Sequence, residues 1–116
     1  MILQGVITML IDRLRNKIQL GIYELTILKY ISKSPNYGIA IINKMEELGF
    51  RTGPSYIYPF LQQMIRDGIL YRIDRVVQGK RRKYYELTQK GRILLQICVE
   101  ELKKMYGAFE TIGLEG

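Results

Sequence analysis

The chain has 116 residues, enough for one modest hydrophobic core and too few for two independent ones. With 47% hydrophobic and 25% charged residues it has the composition of a folded domain, which excludes disorder as the default. A formal net charge of +7 points to a polyanionic partner, and the excess is concentrated: residues 69–87 hold six bases against two acids.

There is no histidine and one cysteine, Cys98, which removes nearly all ordinary zinc sites, every histidine-based nucleophile relay and any intrachain disulfide. The neighbouring pairs Glu46/Glu47 and Glu100/Glu101 read as solvated helix faces, and no glycine-rich phosphate loop follows a strand. The composition therefore argues against an enzyme and against any cofactor or metal. The apolar start, MILQGVITMLI, lacks a positive leading segment and meets Asp12, Arg13 and Arg15 after eleven residues, too short a run to span a bilayer. No membrane partner is expected, and the single cysteine fits a reducing cytoplasm.

Leu3, Ile7, Leu10, Leu14 and Ile18 predict an amphipathic helix ending near Gly21, an accessory or dimerisation helix over residues 1–20. A second helix follows from Ile22 to Lys33, ended by Ser34, Pro35 and Asn36, and a third runs roughly from Gly38 to Leu48, burying Ile41, Ile42 and Met45. After a loop with Thr52, Gly53 and Pro54, a fourth helix spans about Ser55 to Asp67. Ile57, Leu61, Met64 and Ile65 form its inner stripe, with Ser55, Tyr56, Pro59, Gln62, Gln63 and Arg66 opposite, a face of hydrogen-bonding groups almost without acid. The third and fourth helices have the spacing of a helix-turn-helix whose second member enters a major groove. Ser55 and Tyr56 suit phosphate contact there, and Gln62, Gln63 and Arg66 suit base edges.

Ile69 to Val76 and Arg81 to Leu87 predict two strands joined by Val77, Gln78, Gly79 and Lys80, a β-hairpin with the basic tip Lys80, Arg81, Arg82 and Lys83. Such a charge run either blunts an edge strand or binds a phosphate backbone with release of counterions. Thr88 is a natural N-cap for a last helix to about Ile112. Leu95, Cys98, Leu102, Met105, Phe109 and Ile112 alternate by three and four along it, a seam that faces a partner helix. Tyr106 and Phe109 are read as apolar packing groups of that seam rather than as the walls of a ligand pocket.

Three blocks resemble the PadR family of transcriptional regulators. Ser34 to Ile39 (SPNYGI) is similar to its turn Gly-Pro-x-His-Gly-Tyr, with Tyr37 and Ile39 where the family usually has His and Tyr. Ser55 to Leu61 (SYIYPFL), followed by Gly68, Ile69 and Leu70, looks like its recognition helix, with Ile57 in place of Leu. Gly79 to Gly91 (GKRRKYYELTQKG) is close to its wing pattern. The resemblance implies a mainly α fold with a β-hairpin wing: a winged helix-turn-helix DNA-binding domain over residues 21–87, with dimerisation through a C-terminal helix over 88–116. Carried over by position, Ser55, Tyr58 and Pro59 fall in the DNA-facing helix and Lys80 to Lys83, with Tyr84, in the wing. The single C-terminal helix resembles the smaller subfamily.

The function expected on these grounds is a sequence-specific, double-stranded DNA-binding regulator, a homodimeric repressor on a palindromic operator. The alternative is an architectural DNA-binding protein without sequence preference. A small-molecule effector is a possible further partner, for which the residues carry no signature.

Overall fold

In the computed structural model residues 1–33 and 35–115 are described. The chain begins with α1, Ile2–Lys33, a single helix of 32 residues. Two helices meeting near Gly21 were expected, and the difference has a simple cause. The apolar positions Ile18, Ile22 and Leu25 continue the three-and-four spacing across the glycine without a phase break. Gly21 lies on an exposed side of the helix, where glycine costs about 1 kcal/mol relative to alanine, too little to stop a helix that nothing else interrupts. Pro35 is the first residue beyond α1 that cannot continue it. Ser34, expected in the same turn, lies outside the described residues.

A two-residue strand β1, Asn36–Tyr37, leads into α2, Gly38–Glu47, and α3, Pro54–Arg66. The hairpin strands are β2, Leu70–Val77, and β3, Lys80–Leu87, and the last helix is α4, Gln89–Glu115. All three strands form one antiparallel sheet in the order β1-β3-β2. The expected four-residue hairpin connection is shorter, because Val77 pairs with Lys80 and only Gln78 and Gly79 turn. Both have positive φ, 54° and 77°, as in a two-residue type I′ turn, whose twist matches that of the flanking strands.

The core is wholly apolar. Ile27 and Ile31 of α1, Ile41 and Met45 of α2, and Ile57, Leu61 and Met64 of α3 meet Leu70, Tyr85 and Leu87 of the sheet and Leu95 of α4. The first twenty residues of α1 contribute no buried side chain, so this half of the helix projects from the domain. Thr88 caps α4 as expected: its Oγ1 accepts the Gly91 N–H at 3.0 Å while its hydroxyl donates to the Gly68 carbonyl at 2.6 Å. Lys90 Nζ donates to the Asp67 carbonyl at 2.9 Å. Together these bonds tie the end of α3 to the start of α4.

Tyr23 anchors α1 to the helix pair. Its ring lies 4.9 Å from Phe60, 5.3 Å from Tyr56 and 5.6 Å from Phe50, centroid to centroid, and its hydroxyl donates to the Arg51 carbonyl at 2.6 Å. Burial pushes its pKa up to about 12, reinforced by Tyr56 and opposed by Arg51. Unfolded, the phenol ionises near pH 10, so the stability linked to this group is complete below pH 10 and is lost as pH rises from 10 to 12. Tyr23→Phe should lower stability at pH 7 by about 1 kcal/mol through the lost hydrogen bond and should flatten the alkaline decline. Urea unfolding at several pH values checks both, and an unaltered decline between pH 10 and 12 would contradict the assignment.

Candidate nucleic-acid interface

Gly53 precedes α3 and Pro54 occupies its first turn, where the missing N–H is no loss. Ile57, Leu61 and Met64 are fully buried, which turns Ser55, Pro59, Gln62, Gln63 and Arg66 outward as expected. Pro59, inside the helix, cannot donate to the Ser55 carbonyl four residues earlier. Gln63 donates to Asp67 at 3.0 Å and Arg66 to Gln63 at 2.8 Å, so these side chains form one exposed hydrogen-bonded chain.

Tyr56 does not stand on the outward face where it was expected. It is half-buried, packed edge-on against Tyr23 and Phe60, with the Arg51 guanidinium 4.4 Å from its ring centre. The cause is helical spacing, since residues 56 and 60 are one turn apart and both reach the buried ring of Tyr23. Tyr58, also half-buried, extends across the start of α2, with its ring so close to Gly38 that a Cβ there would have no room.

Between α3 and the hairpin lies a groove of about 600 Å³. Tyr58 and Gln62 line it from α3, Tyr37, Gly38 and Ile39 from the start of α2, and Arg72, Lys80, Arg81, Arg82, Lys83 and Tyr85 from the sheet. Five of these side chains are cationic and none is a carboxylate. Among the described residues no wing cation is held in an ion pair, since the ion pairs lie within α1, α2 and α4. A face of this kind combines amide and phenol groups able to meet base edges with guanidinium and ammonium groups able to meet phosphates.

The groove thus unites Tyr58 and Gln62 with Lys80 to Lys83. Ser55, Pro59, Gln63 and Arg66 lie outside it along α3. Tyr84 points to the opposite side of β3 from Tyr85, where it meets the Tyr37 ring edge-on at 5.7 Å. Arg72, Tyr37, Gly38, Ile39 and Tyr85 were missed by sequence reasoning. Arg72 could have been found from strand pairing, because it is the register partner of Tyr85, whereas the two-residue β1 leaves no periodic signal.

The seam on α4 divides. Leu95 is only 7% exposed because it packs in the core of its own domain, which withdraws it from the expected set of dimer contacts. Cys98 is half-buried, while Leu102, Met105, Phe109 and Ile112 stand exposed, the last three at 64, 73 and 72%. On the projecting half of α1, Leu3, Ile7, Leu10, Leu14 and Ile18 are exposed as well. Among the described residues no helix is long and apolar enough to cross a membrane.

Residues 27–97 match the family model of the transcriptional regulator PadR-like family, a stretch that contains every residue lining the groove. The transcriptional regulator Rv3488 of Mycobacterium tuberculosis is 31% identical over 94 residues, covering 77% of this chain and 88% of that protein. A PadR-like transcriptional regulator from Bacillus cereus, with a solved structure, is 31% identical, with a TM-score of 0.69 and coverage of 82% of this chain and 90% of the other. A PadR family regulator from Eggerthella lenta shares the fold at 18% identity, with a TM-score of 0.82 over 93% of this chain and 96% of its own. The chain therefore belongs to the PadR-like family of transcriptional regulators, DNA-binding proteins of the winged-helix type.

Proposed function

We propose that this regulator acts as a homodimeric repressor on a palindromic operator. The observation that carries the proposal is the acid-free groove, which collects Tyr58 and Gln62 of α3 beside Arg72 and the four consecutive cations of the wing. In this arrangement α3 enters the major groove: Gln62, Gln63 and Arg66 read base edges, and Ser55, Tyr58 and Pro59 approach the backbone. Lys80, Arg81, Arg82 and Lys83 meet phosphates of the flanking duplex. Tyr56 and Tyr84 support these faces from beneath.

A two-fold axis through the α4 seam sets the two recognition helices about 34 Å apart, one turn of duplex, so the preferred site is a palindrome. Leu102, Met105, Phe109 and Ile112 support this assembly, because an apolar stripe of this length in water is covered by a partner. The projecting half of α1 supplies a second apolar surface to the same partner. Repression follows from occupancy of the operator. The cytoplasm is the compartment of such a protein, and there Cys98 stays a thiol.

Two measurements test this. Replacing Arg81, Arg82 and Lys83 with alanine should lower the slope of log affinity against log salt by up to about 2.7, the counterion release of three phosphate contacts. An unchanged slope in a fluorescence titration series would remove the wing from the interface. Separately, Met105→Glu with Phe109→Glu places charge in the seam and should convert a dimer to a monomer in sedimentation velocity, with a parallel loss of operator affinity. A dimer that survives both substitutions would contradict the α4 seam.

A further inference from the structure

The alternation of β3 sorts the wing cations onto two faces. Arg81 and Lys83 share the face of buried Tyr85 and Leu87, while Lys80 and Arg82 share the face of Tyr84. On that second face the strand register places Arg75 directly opposite Arg82, a like-charge pair that repels at so short a range. Neither arginine is in an ion pair among the described residues. Each lies over a different tyrosine ring instead: the Arg82 guanidinium is 4.4 Å from the centre of Tyr37, and that of Arg75 is 5.4 Å from the centre of Tyr84. The two rings meet edge to face, 5.7 Å apart at 67°. The repulsion between the cations is thereby resolved by drawing them onto separate aromatic faces.

Tyr37 is well placed to act on both halves of the domain. It pairs with Tyr84 in the sheet, and it is the N-cap residue of α2, next to the glycine over which Tyr58 of α3 lies. A guanidinium resting face-on against a ring keeps its N–H donors free at its edge, in the fork that matches a phosphate. We infer that Tyr37 is a positioning residue for DNA binding: its ring fixes the Arg82 guanidinium relative to α3, so that helix and wing meet the duplex as one preformed surface. This rests on the reading above that the wing contacts DNA. Since a held side chain loses less freedom on binding than a free one, the ring contributes to affinity through the guanidinium it holds. Tyr37 stands where the resemblance to the family places a histidine, so the pairing belongs to this chain's own sequence.

The test is a set of duplex affinities at fixed salt for the full chain and for Tyr37→Leu, Tyr37→Phe, Arg82→Ala and the double variant Tyr37→Leu/Arg82→Ala, with a thermal melt of each. Arg82→Ala should weaken binding several-fold. Tyr37→Leu should weaken it by roughly two- to fivefold, the range of an exposed cation-π contact. Tyr37→Phe, which keeps the ring, should bind like the parent, and the double variant should bind no more weakly than Arg82→Ala alone. Losses that multiply in the double variant, or a Tyr37→Leu protein that binds like the parent, would overturn the inference and leave the wing assignment standing. An Arg82→Ala protein with parental affinity would also overturn the inference, while the salt slope of the triple replacement decides the wing separately. Should Tyr37→Leu not fold, the Arg82 Nε–H proton resonance of the unsubstituted protein decides. A resonance shifted upfield by the ring supports the pairing, and an unshifted one overturns it.

Discussion

Beyond the core contacts of Leu70, Tyr85 and Leu87, two residues of β1 tie the hairpin to the helix pair. A lone two-stranded hairpin is marginally stable in water, and here β3 pairs on its second edge with Asn36 and Tyr37, which run without a break into α2. From the other side, Tyr58 of α3 packs over Gly38, the first residue of α2. Hairpin and helix pair therefore share one short stretch of backbone as well as the core contacts of Leu70, Tyr85 and Leu87. The groove, its five cations and its approach to α3 all follow from that joint.

Electrostatics explains why the joint has to be firm. Four consecutive cations from Lys80 to Lys83 repel one another, and the fold supplies no ion-pair partner for them among the described residues. Strand alternation and aromatic contact reduce the cost without neutralising the charge, so the potential remains directed outward. The exposed ion pairs elsewhere, such as Lys103 with Glu100, join residues three apart on a helix and contribute little to stability. The charge proposed to meet DNA is the charge left unpaired.

Much of this was legible in the sequence, because periodicity reports which side of an element is buried. The inner stripe of α3, the Thr88 cap and the two hairpin strands are local patterns and appear where expected. What failed depended on contacts between distant residues. Gly21 reads as a stop, yet a glycine ends a helix only when the backbone leaves helical geometry there, and nothing forces it to. Tyr56 reads as outward because it is polar at one end, but α1 presents Tyr23 to receive its ring. Leu95 fits the seam by spacing and is claimed by the core, since α4 begins against the domain and leaves it only further along. Arg72 and Tyr37 enter the site through strand register, which no single segment encodes.

A dimer of preformed helix-and-wing surfaces is proposed to read a two-fold symmetric DNA sequence. Selection of bound duplexes from a random pool, with sequencing of the retained fraction, tests it most directly. One enriched palindrome is expected, with half-site centres about one helical turn apart, roughly 10 base pairs. Retention of DNA with no enriched sequence would contradict it, and would mark the same basic groove as one that grips any duplex.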